Sequence, residues 1–204
     1  MTTIAGRGAD DVEQTLDRQA VSGASSSVMG MTLFVASEAV FFAAFFGVYL
    51  SSYAGAKTWP PTNVTAPSII LPTIGVVLLL VSGLTMTFAV RRVSRPDYPS
   101  GVATWLTATL ALGVVFGVLV LVGLVDLNFG IGKGIYESLF YVLLGLELAH
   151  VAGGVALVGL VLARAGTGEL ALRRDPVQAA AIYWFFVVAL GVFIYVVLYV
   201  ASGG

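Results

Sequence analysis

The 204-residue chain contains no cysteine and a single histidine, and only 10% of it is charged. The first absence excludes disulfides, thiolate metal sites and cysteine nucleophiles. The second means that this chain cannot give a haem two axial histidines, and it cannot assemble a copper or iron–sulfur centre. Nucleophile triads, phosphate-cradling glycine loops and nucleic-acid patches are missing too. Gly130-Ile-Gly-Lys-Gly134 lacks the strand-to-helix context of a phosphate loop. Ordinary globular domains carry about 25% charged residues. Charge this sparse, with 58% hydrophobic residues and a mean hydropathy of +0.98, marks an integral membrane protein.

A hydrocarbon core about 30 Å thick needs ~20 apolar residues per helix at ~1.5 Å rise. Five segments meet that length, at approximately 28–53, 68–90, 101–125, 135–163 and 177–201. The alternation of a membrane β-barrel is absent. The expectation is an all-α bundle of five transmembrane helices over residues 28–204, preceded by a polar tail at 1–27. The first apolar run is too long for a signal-peptide core, so it is read as a true span.

Eight of the ten cations fall on one side of this topology. They are Arg7 and Arg18 in the tail, Arg91, Arg92 and Arg95 after helix 2, and Arg164, Arg173 and Arg174 after helix 4. Only Lys57 and Lys133 lie opposite. The positive-inside bias puts the N-terminus in the cytoplasm and the C-terminus outside. In the tail, Val12 and Leu16 are spaced as one amphipathic turn, and a disordered tail is the alternative. Trp59-Pro60-Pro61 and Pro67 make the first external loop stiff. Tyr53, Trp59, Tyr98, Trp105, Tyr136 and Tyr183 are expected at membrane interfaces, and Asp126 and Glu137, near helix ends, in solvent. Gly113 and Gly117 on helix 3, and Gly145, Ala149, Ala152, Gly153 and Ala156 on helix 4, are expected to be packing faces.

The informative residues are the polar ones inside the spans. Glu38 lies in the oily run Ser37-Glu38-Ala-Val-Phe41-Phe42-Ala-Ala-Phe45-Phe46. An acid at a helix centre costs roughly 2.5–3.5 kcal/mol on insertion scales, which asks for a reason. Phe41, Phe42 and Phe45 follow Glu38 on one face at i+3, i+4 and i+7. Glu147 and His150 are three apart on helix 4 and are expected to share a face. Counting from the cytoplasmic side, Glu38 is ~15 Å deep and His150 ~20 Å deep. Those depths allow contact where helices 1 and 4 meet, and the expected contact is a Glu38–His150 hydrogen bond. Two readings stay open: a polar cluster that locks helix packing, or a proton relay.

These residues bring a family into view. The Ser37–Phe46 run resembles the acidic helix of subunit III of the haem–copper oxidases, in its short five-helix bacterial form. Trp59-Pro60-Pro61 resembles the family's external loop, and Ser82-Gly83-Leu-Thr85-Met-Thr87 its SGxTxT helix. Gly134-Ile-Tyr136-Glu-Ser138-Leu-Phe140, His150-Val151-Ala-Gly153-Gly154 and Tyr183-Trp184 are similar to its GxYxSxFF, HVxxG and YW segments. The chain departs from the family at Glu147, Phe185 and Val188, where members commonly have His, His and Asp, and its helix 3 lacks the family's Glu-Tyr.

The resemblance implies a non-catalytic accessory subunit of a respiratory terminal oxidase in a bacterial or archaeal inner membrane. Haem and copper are then expected in partner subunits I and II, with no cofactor in this chain. It also implies bracing of subunit I, binding of structural phospholipid, and support of proton uptake during oxygen reduction. Arg91, Arg92 and Trp59 are the candidates for lipid contact. The alternatives are an accessory subunit of a quinol oxidase or nitric oxide reductase, and a small proton-coupled carrier using Glu38, Glu147 and His150.

Overall fold

The structure is a computed structural model that describes residues 26–62, 64–65, 67–94, 101–166 and 174–201. Five helices are long and apolar enough to cross a membrane: α1 (Ser26–Gly55), α2 (Ile70–Val93), α3 (Val102–Val125), α4 (Ile135–Gly166) and α5 (Asp175–Tyr195). A π-helical turn, Val196–Val200, extends α5. The described residues form no strand. The boundaries agree with the apolar runs to within a few residues, because in hydrocarbon a helix continues until water can satisfy its backbone. Arg7, Arg18, Arg95, Arg173, Tyr98, Val12 and Leu16 lie outside the described residues.

Helix α2 packs on α3 and α5, and α4 packs on α3 and α5, so these four close a ring. Helix α1 stands outside it, against α5 and, over a shorter stretch, α4. Only Phe42, Phe46 and Tyr49 of α1 are buried.

One side chain holds the ring together. Trp184 of α5 is fully buried. Its Nε1–H donates to Ser82 Oγ of α2 at 3.1 Å. A Cβ at Gly113 of α3 would collide with its ring, and one at Gly154 of α4 would come within 2.9 Å of it. Two glycines and a serine on three helices therefore form the slot for one indole. Nearby, Thr85 and Thr109 join α2 to α3 through a 2.7 Å hydroxyl contact. In lipid, where apolar burial does not drive helices together, such close packing and hydrogen bonding are what hold them.

The small residues divide into two groups. Gly113 and Gly117 are buried against Trp184 and Val151. By contrast Gly145, Ala149, Ala152, Gly153 and Ala156 are exposed along α4. Of these, Gly153 alone has a tight intrachain neighbour, the Tyr183 hydroxyl 2.9 Å from where its Cβ would stand. Three further expectations need correction. Tyr136 is fully buried, and Tyr183 lies two turns inside α5, with its hydroxyl on a backbone carbonyl; neither is an interfacial anchor. Glu137 is 2% exposed rather than solvated, because its carboxyl folds back over Gly134 at the start of α4. Asp126 is exposed.

The packing predicts an asymmetric response to added methyl groups. Gly113→Ala and Gly154→Ala should each destabilise the chain by about 1–3 kcal/mol through overpacking. Trp184→Ala should cost about 3–5 kcal/mol. Gly145→Ala, whose Cβ would meet nothing within 4 Å, should leave unfolding unchanged. Thermal denaturation of the detergent-solubilised protein ranks the four variants.

Candidate functional site

The site is built on the ring's slot. The two residues that follow the His150 turn, Gly153 and Gly154, lack side chains where Tyr183 and Trp184 lie against α4. With α5 in that register, the Tyr183 O–H donates to the His150 backbone carbonyl at 3.2 Å, and its ring stacks on the imidazole with centroids 6.4 Å apart and on Phe34 of α1 at 6.1 Å. Phe42 of α1 and Phe186 of α5 meet the imidazole edge-on, at 5.0 and 6.1 Å. An aromatic box thus surrounds His150. The phenylalanine face of α1 splits: Phe42 is buried in the box, while Phe41 is 45% exposed.

The box opens toward Glu38. Its Oε2 stands 3.2 Å from His150 Nε2, and the two side chains are 24% and 12% exposed. The other imidazole nitrogen, Nδ1, is 2.8 Å from the Leu146 carbonyl oxygen. A carbonyl only accepts, so Nδ1 carries the proton of that bond. Nε2 then faces a carboxyl oxygen, and this contact is attractive only with one proton between them. That proton sits either on Glu38, donating to a neutral imidazole, or on Nε2, donating to a carboxylate. Both arrangements are neutral overall, which suits a half-buried place in oil. Without that proton, a carboxylate would face an imidazole lone pair. The geometry defines a one-proton site made by α1 and α4.

Glu147 is not part of it. Three residues apart on a helix means about 60° around the axis. That angle is enough to send the two side chains to different neighbours. Glu147 points into the ring beside Leu79 of α2 and Gly191 of α5, 1% exposed, with neither carboxyl oxygen hydrogen-bonded to a protein group. The expected three-residue relay is therefore a pair plus a separate acid. Arg91 and Arg92 are exposed on the last turn of α2. The Trp59 indole is turned into the protein, donating to the Tyr49 hydroxyl at 3.0 Å and packing edge-on against Tyr49 and Tyr136.

The donor set does not fit a haem or a copper ion. The lone histidine has both nitrogens engaged, and no group of three His, Cys, Asp or Glu converges among the described residues. The residues that the sequence did not single out for the site are Leu146, Tyr183 and Phe186. Leu146 enters through its backbone and leaves no trace in the sequence. From the sequence, Tyr183 is expected at a membrane interface and as part of the Tyr183-Trp184 segment, and Phe186 carries no signal.

If the pair shares a proton, removing either partner should cancel the benefit of the other. Glu38→Ala and His150→Ala are expected to be non-additive in a double-mutant cycle, with a coupling of about 1 kcal/mol or more. Denaturation midpoints of the four proteins measure it.

The sequence matches the model of the family described as cytochrome c oxidase subunit III over residues 14–203. It is 32% identical over 176 residues to cytochrome c oxidase subunit 3 of Xenopus laevis, covering 83% of this chain and 67% of that one. It is 30% identical to the protein of that name from Alkalihalophilus pseudofirmus, covering 86% and 87%, and 27% identical to that of Thermostichus vulcanus, again covering 86% and 87%. With nearly the whole sequence matched, the chain belongs to the cytochrome c oxidase subunit III family.

Proposed function

We propose that this chain is the non-catalytic subunit III of a respiratory haem–copper terminal oxidase, assembled with subunits I and II in a bacterial cytoplasmic membrane. Haem and copper belong to those partners and supply the oxygen chemistry. This chain braces subunit I, contacts membrane lipid and supports proton uptake during turnover. The bacterial relatives support the location. The charge bias supports a cytoplasmic N-terminus, with Arg91, Arg92, Arg164 and Arg174 near one end of the bundle and Lys57 and Lys133 near the other. Arg91 and Arg92 are suited to lipid phosphates. The small-residue face of α4, exposed among the described residues, is suited to a close helix of a partner subunit.

The observation that carries the proton role is the contact of Glu38 Oε2 with His150 Nε2, with Nδ1 held by the Leu146 carbonyl. Such a pair is neutral overall while it holds its proton and carries a single negative charge once the proton leaves, so it can take up and release one proton per cycle.

Two variants at one position separate bracing from proton handling. In Glu38→Gln the amide N–H still donates to Nε2, so the subunit should stay in the purified oxidase while oxygen consumption decays faster during sustained turnover. In Glu38→Ala both subunit retention and sustained activity should fall. Haem content should match wild type in both. Loss of haem would refute the accessory assignment, and Glu38→Gln turnover indistinguishable from wild type would refute the proton role.

A further inference from the structure

Glu147 is left unexplained by the site above. Its carboxyl is buried, unpartnered by protein groups, and borders a cavity of about 40 Å3 at the centre of the α2–α5 ring. The cavity walls are largely apolar, with Tyr195 and Tyr199 the only polar side chains beside Glu147 among them; Tyr195 Oη is held 2.7 Å from Thr73 Oγ1. A second cavity of about 110 Å3 lies among the α1–α2 and α3–α4 connections, bordered by the polar groups of Thr65, Ser68, Asp126 and Asn128. The two share Leu71, Pro72, Gly123 and Tyr199 as walls. Tyr199 thus borders both cavities, while Tyr195 and Glu147 border the inner one.

We infer that Glu147 is a water-connected acid: the inner cavity is a hydration site of about three water molecules, at ~10–15 Å3 each, fed from the end of the bundle that carries Asp126. Water is the ligand that this chemistry selects. A carboxyl in oil must find hydrogen-bond partners, no protein group supplies one to Glu147, and water in the adjoining cavity is the partner small enough to reach it. The titratable groups around Glu147 are Tyr183, Tyr195 and Tyr199 from α5 and its extension, His150 on its own helix, and Glu38 paired with His150 from α1. Helices α2 and α3 offer only apolar side chains to the inner cavity, with Asp126 at the outer mouth. Neither Glu38 nor His150 is among the walls of either cavity.

The chain's lack of cysteine makes the test clean. Glu147→Cys and, as a conservative second probe of the same cavity, Val120→Cys are placed in the full chain in its native membranes. Aqueous Ag+ is added, and thiols left free are then alkylated with N-ethylmaleimide after denaturation and read as a mass shift of this chain. Both cavity thiols should be protected by Ag+. Adding Gly123→Leu, whose Cβ would make ordinary contact with Leu71 at 3.9 Å, should slow protection by an order of magnitude. Leu143→Cys, in the dry core one turn away, should stay unprotected. Cavity thiols that Ag+ does not reach would overturn the inference. So would protection that Gly123→Leu leaves unchanged, or equal protection of Leu143→Cys.

Discussion

The indole of Trp184 in its slot is the contact on which the remaining structure depends. It touches all three of the other ring helices, through a hydrogen bond to Ser82 and through close approach to Gly113 and Gly154. Each of these needs a residue small enough to let the ring in. The buried Nε1–H also needs an acceptor, and Ser82 supplies it while donating to the Leu79 carbonyl. Because apolar area alone gives helices no reason to associate in lipid, this combination sets the register of α5 against α2, α3 and α4.

That register positions the site. Tyr183 precedes Trp184, so seating the indole also lays the phenol against Gly153 and onto the His150 carbonyl. The imidazole is then fixed from four directions, by Leu146, Tyr183, Phe186 and Phe42. Glu38, like Phe42, comes from α1, the helix outside the ring. The segments His150-Val-Ala-Gly-Gly154 and Tyr183-Trp184, which read separately as family signatures, are two sides of a single contact.

Much of this was legible in the sequence. Five apolar runs gave five helices, since backbone satisfaction in oil leaves no other fold for such segments. The Glu38–His150 meeting followed from counting depth along two antiparallel helices. Other features were hidden because linear position does not fix azimuth. Glu147 and His150 are near neighbours in sequence yet face different partners. Nearness to a helix end suggested solvent for Glu137 and an interface for Tyr136, but the aromatic cluster of Phe129, Tyr136, Phe140 and Trp59 closes that end. The small residues of α4, expected as a packing face, are exposed among the described residues, and the sequence does not say what they pack against. The difference between α3 and α4 glycines lies in what faces them, and one sequence does not contain that.

Helix α1 has 30 residues, about 45 Å by its rise. It is therefore longer than a hydrocarbon layer of about 30 Å. Lipid would ordinarily absorb such an excess by letting the helix lean to whatever angle the local thickness demands. Here α1 is fastened to α4 at two heights, by Glu38 and by Tyr49 through Trp59, whose ring packs on Tyr136. Two fixed points define a line, so the inclination of this outer helix is written into its side chains and is withdrawn from the control of the surrounding bilayer.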